Sequence, residues 1–143
     1  MSQTFGVKMT VVGMLALLAA GCATVGAGPT EQERLQATLD GWSASFESQD
    51  IDAMMAFYSE DFATDAGYSR NAIGQYFQAM ADAGYLEGAE ADFSLSTIVM
   101  QNGTATVGPI YLSSFAGSLR TMLELEQDAD GVWRIVESEI RRR

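Results

Sequence analysis

The apolar residues of this chain change their period once, near Gly84, and that change limits the folds open to it. From Glu31 to Ala83 the large residues recur at helical spacing. Leu35, Leu39, Trp42 and Phe46 follow one another at intervals of four, three and four, which is one face of a helix. Thr30 with Glu33 three residues on is a capping box that starts it. The spacing predicts a second, short helix over Ile51 to Tyr58, capped by Asp50, and a brief strand over Asp61 to Thr64. A third helix is expected from Ser69 to Ala83, with Ile73, Tyr76, Phe77 and Met80 on one face and Gly84 as its stop.

After Gly84 the period falls to two. Ala91 to Met100 alternates and then slips at Ile98-Val99, which predicts a bulge. Asn102-Gly103 is the strongest hairpin signal in the chain. Thr104 to Ser113 returns, with a bend at Gly108-Pro109. Leu119 to Glu126 and Val132 to Ile140 are the last strands, separated by the turn Asp128-Ala129-Asp130-Gly131. Three helices ahead of a four-strand antiparallel meander, with one small extra strand, predict an α+β domain with the helices on one face of the sheet.

Composition then removes whole classes of chemistry. There is no histidine, so no Ser–His–Asp or Cys–His centre and no imidazole metal site can form. No Gly-rich phosphate loop is present, and neither a metal nor a cofactor is expected. The net charge of −11 disfavours nucleic acid as a partner. Arg141-Arg142-Arg143 is the basic exception and reads as a solvated tail.

The N-terminal stretch stands apart. Residues 1–21 carry one positive side chain, Lys8, and an apolar run from Met9 to Ala20. That run is about 12 residues, or ~18 Å as a helix, against ~30 Å for a bilayer core. It suits a signal peptide better than a membrane span. Ala19, Ala20 and Gly21 lead into Cys22, the only cysteine. This stretch resembles the lipobox of bacterial lipoproteins, although Ala19 stands where leucine is usual. The resemblance implies lipidation of Cys22, which becomes the first mature residue, and a membrane contact through that anchor. Residues 22–30 then form a flexible tether. Alanine at 23, with no retention aspartate there, implies the outer membrane, facing the periplasm. The other reading is an ordinary secretory signal with Cys22 incidental. With Lys8 removed, the mature side chains carry 7 − 19 = −12.

Residues 31–143 make one domain. "LDGWSASFESQDIDAMMAFYSEDFATDAG", "AIGQYF" and "DGVWRIVES" resemble the SnoaL-like branch of the nuclear transport factor two-like superfamily. The resemblance implies a cone: a curved, mainly antiparallel sheet of four to five strands, with three N-terminal helices in its concave face, an apolar pocket inside, and often a homodimer through the sheet. The superfamily holds isomerases, cyclases, dehydratases, binders and assembly modules, and fold does not choose among them. The isomerase pattern fails at each position: Trp42 stands for its tyrosine, Ala66 (beside Asp65) for its general base, and Thr121 for its second aspartate.

Trp42, Tyr58, Tyr76 and Met80 are the pocket candidates, with ordinary core as the competing reading. Tyr111 adds a third hydroxyl if its side chain turns inward. On the last strand, Trp133, Ile135, Glu137 and Glu139 share one face, and Arg134, Val136, Ser138 and Ile140 the other. The isomerase-like register puts the second face inside, bringing Arg134 and Ser138 to the cavity. Glu137 and Glu139 read as solvated acids. The sequence thus points to an envelope lipoprotein that binds a small apolar molecule or mediates assembly, with no evident catalytic residues. The alternative is an isomerase, dehydratase or cyclase using Asp65, Tyr58 or an acid of the last strand.

Overall fold

The computed structural model describes residues 28–142. The expected signal peptide, Cys22, most of the expected tether and Arg143 lie outside them. The elements run α1 (Glu31–Glu47), α2 (Ile51–Met55), β1 (Tyr58–Thr64), α3 (Arg70–Asp82), β2 (Glu90–Asp92), β3 (Thr97–Gln101), β4 (Thr104–Ser114), β5 (Gly117–Gln127) and β6 (Trp133–Arg142).

The helix starts follow local chemistry. The Glu33 amide donates to Thr30 Oγ1 at 3.2 Å, and the Thr30 amide donates to the Glu33 carboxylate at 2.7 Å. Asp50 caps α2 through the Ala53 amide, and Ser69 caps α3 through the Ala72 amide. The Asn102-Gly103 turn joins β3 to β4 with positive φ at both residues, 50° and 77°.

The domain is α+β, with six strands in one mixed, unclosed sheet ordered β1-β6-β5-β4-β2, and β3 also on β4. Leu35, Leu39, Trp42 and Phe46 of α1 share one core with Val107, Ile110, Leu123, Leu125 and Ile135 of the sheet. The helices therefore cover the inner face.

Four expectations need correction. Tyr58 does not end the second helix; α2 stops at Met55 and Tyr58 opens β1. The cause lies far along the chain: β6 pairs with β1 in parallel, and the Ile135 amide donates to Phe57 O at 2.9 Å. The sheet is thus mixed by this one parallel pair, its other pairings being antiparallel as expected, and it has six strands where four to five were expected. The stretch Ala91 to Met100 is not one bulged strand. It breaks into β2 and β3, which pair end to end with the two halves of β4. Between them β4 bends at Gly108-Pro109, where the register slips by one residue and proline offers no amide to the ladder. Finally, Arg141 and Arg142 are not a solvated tail. Both are paired residues of β6, and Arg141 bonds Asp65 at 3.1 Å and Glu139 at 3.0 Å.

A second bulge governs the site. Leu125 faces Ile135 but Glu124 faces Glu137, so Val136 is an extra residue in β6. Before it, Trp133 and Ile135 point inward and are buried. After it the parity inverts, and Ser138 is the buried residue.

Candidate functional site

The inner face offers two places, one deep and one at an open end. In the deep place Trp42 of α1 and Tyr58 of β1 meet. The Trp42 indole N–H donates to the Tyr58 hydroxyl at 3.0 Å, and both residues are buried. Thr121 and Ser138 add hydroxyls beside them, among Ile73, Phe77, Leu112, Leu119, Leu123 and Ile140. The cavity that remains is about 10 Å³. That is about the room one water needs, ~10–15 Å³. Large side chains from α1, α3 and the sheet have filled the cone.

The deep place holds no acid or base fit for catalysis. Burial pushes the Tyr58 hydroxyl up to about 12, against a smaller opposing effect of the Trp42 bond. It stays a neutral phenol at physiological pH. The Thr121 hydroxyl is spent on Glu139 O at 3.0 Å. Asp92 and Asp128 have carboxyls held below the usual range, by the backbone N–H groups of Ser94 and Val132 respectively. Asp92 ends β2 and Asp128 follows β5, and neither lines the cavity. Among the described residues no group of three His, Cys, Asp or Glu is placed to hold a metal. No described helix is long and apolar enough to cross a membrane.

The open end, or mouth, lies where the β4–β5 turn, the end of β6 and the loop after β1 meet α3. Two grooves of about 670 and 690 Å³ share Tyr76, Phe77, Leu119 and Arg142. The first runs on to Phe46, Met80, Tyr85, Leu86 and Phe115, and the second to Thr64, Asp65, Tyr68 and Ile73. Tyr68 is 60% exposed, Tyr76 50%, Tyr85 48% and Phe115 76%. Such a cluster of open aromatic rings is unusual on a surface unless something covers it.

The predicted site residues are thus divided. Trp42, Tyr58 and Ser138 converge in the deep place; Tyr76 and Met80 line the mouth. Tyr111 and Arg134 join neither. Tyr111 sits between the inward Ile110 and Leu112, on the opposite face of β4. Arg134 precedes the Val136 bulge, lies on the outer face, and bonds Asp128 at 3.5 Å and Ala56 O. The isomerase-like register holds only beyond the bulge, which separates Arg134 from Ser138. Asp65 borders the mouth, and Arg141 holds its charge. Glu137 is exposed and Glu139 pairs with Arg141. Sequence reasoning missed Arg142, Tyr68, Tyr85 and Phe115. Only the parity after the bulge, running Ser138, Ile140, Arg142, brings Arg142 to the inner side.

No protein-family model matches the chain, and no curated protein matches it in sequence. Solved structures do match. An NTF2-like protein from Shewanella baltica is 14% identical, with a TM-score of 0.64 over 80% of this chain and 97% of that one. An NTF-2 like protein from Silicibacter pomeroyi is 18% identical, with a TM-score of 0.64 over 80% of this chain and all of that one. Bdellovibrio bacteriovorus Bd1075 matches 76% of this chain at 18% identity and a TM-score of 0.64, and the match spans 40% of its own length. At such identities the agreement concerns architecture, and the described domain has the nuclear transport factor two-like fold to which its SnoaL-like sequence pieces pointed.

Proposed function

We propose that this chain is a lipid-anchored protein of the bacterial cell envelope, held at the outer membrane by Cys22 and facing the periplasm, whose domain binds a small apolar molecule at its mouth without transforming it. The observation that carries the binding reading is the mouth itself: two joined grooves rimmed by exposed aromatic rings, each within the ~300–1,000 Å³ usual for ligand pockets. The filled deep place supports binding over chemistry. The one buried titratable group there, Tyr58, is pushed away from a useful pKa.

The direction of α1 fits an anchor. Phe46 lies at the mouth and Trp42 one turn deeper, so Leu39, Leu35 and the cap at Thr30 follow toward the opposite end. The chain therefore enters the domain at the end away from the mouth, which leaves the aromatic rim clear of the tether.

Native mass spectrometry of the mature protein, released from membranes, tests the reading and the oligomeric state together. The expected result is a domain carrying a small molecule that is lost on activation. A bare protein in stoichiometric complex with another protein supports assembly instead. A homodimer through the outer face of the sheet registers as a doubled mass.

A further inference from the structure

The mouth holds a charge that its surroundings do not neutralise. Arg142 ends β6 on the inner side, lines both grooves, and is exposed. Asp65, which lines the second groove with Arg142, and Glu139 of β6 are both paired with Arg141. Among the described residues no carboxylate pairs with Arg142. A guanidinium left over in an aromatic groove is a ready partner for a planar anion, because its paired N–H groups match the two oxygens of a carboxylate. The rest of the protein sets a limit on that anion. With 7 − 19 = −12 on the mature side chains, each further negative charge on a ligand meets more long-range repulsion. One charge is favoured over two.

Resting on the proposal that the mouth binds a small apolar molecule, we propose that its ligands are amphipathic monocarboxylates. The acyl or aromatic body lies along Ile73, Tyr76, Phe77 and Leu119, and the carboxylate pairs with Arg142. The deep place takes no part, since nothing larger than a water fits there.

The test compares 6-phenylhexanoate with its uncharged counterpart 6-phenylhexan-1-ol by titration calorimetry. The mature full-length chain is used in lipid nanodiscs, with empty nanodiscs as the blank. Wild type is expected to bind the acid roughly three- to fivefold more tightly than the alcohol, as a charge-assisted bond to an exposed arginine allows. Arg142→Gln should abolish that preference, with the loss falling on the acid. Equal binding of acid and alcohol by wild type overturns the inference but leaves the binding site standing. A preference that survives in Arg142→Gln overturns it as well, because the charge then acts from elsewhere. A loss of both ligands in Arg142→Gln, with an unchanged circular dichroism spectrum, shows a shaping role for Arg142 and also overturns it. If neither compound binds wild type, the binding reading fails along with it.

Discussion

Removing one oxygen from the deep place tests the account of the core. In Tyr58→Phe the ring stays and the hydroxyl goes. The indole N–H of Trp42 then loses its acceptor at 3.0 Å, inside a space of about 10 Å³. A buried donor left without a partner costs about 1–3 kcal/mol, and that is the expected loss at neutral pH. The freed space joins a void already about the size of one water, so a water that enters restores part of the bond and holds the loss toward the low end of the range. The alkaline behaviour carries a second signature. Burial raises the Tyr58 hydroxyl from its ordinary 10.0 to about 12. Between these values the unfolded chain has released the phenolic proton and the fold still holds it, so rising pH favours unfolding. The contribution is fully present below pH 10 and is lost by about pH 12. Two units correspond to roughly 2–3 kcal/mol. Wild type should lose this amount and Tyr58→Phe should not. The gap between them, clear at pH 7 to 9, should close as pH approaches 12. Urea unfolding at several pH values, followed by tryptophan fluorescence, measures it. If the variant is as stable as wild type at pH 7, or the gap stays constant to pH 11.5, the account of the deep place is wrong.

Trp42→Ala should lower stability by about 3–5 kcal/mol in the same unfolding assay, because the indole is buried core in a filled interior; a loss under 1 kcal/mol would mean that the interior is open. Gly108→Ala should lower the melting temperature measurably. Gly108 has φ 149°, and an added Cβ would lie 2.6 Å from Met122 Sδ and 3.1 Å from Thr121 O, so the bend of β4 must shift. An unchanged melting temperature would show that the bend adapts freely. Cys22→Ser should release the protein from the membrane fraction or leave an uncleaved precursor; a variant that matures and stays membrane-bound refutes the lipid anchor.

The sequence alone determined what depends on neighbours along the chain. The capping box at Thr30, the caps at Asp50 and Ser69, the Asn102-Gly103 turn and the fall in period after Gly84 each involve residues a few places apart. Their outcome does not wait for the rest of the fold. The inward stripe Leu35, Leu39, Trp42, Phe46 was equally legible, since one face of a helix must bury its apolar residues wherever the partner lies. The tertiary structure decided what depends on residues far apart. Tyr58 became a strand residue because β6, more than seventy positions later, paired with it. Val136 reversed the direction of every residue beyond it, placing Ser138 and Arg142 inside and leaving Arg134 out. A bulge is defined only against a partner strand, so no period in β6 by itself shows which face will point inward. Whether Trp42 lines a pocket or fills one was likewise undecided in one dimension. Void volume is what remains after side chains from α1, α3 and four strands have met, and small differences in their sum separate a ligand cavity from a packed core.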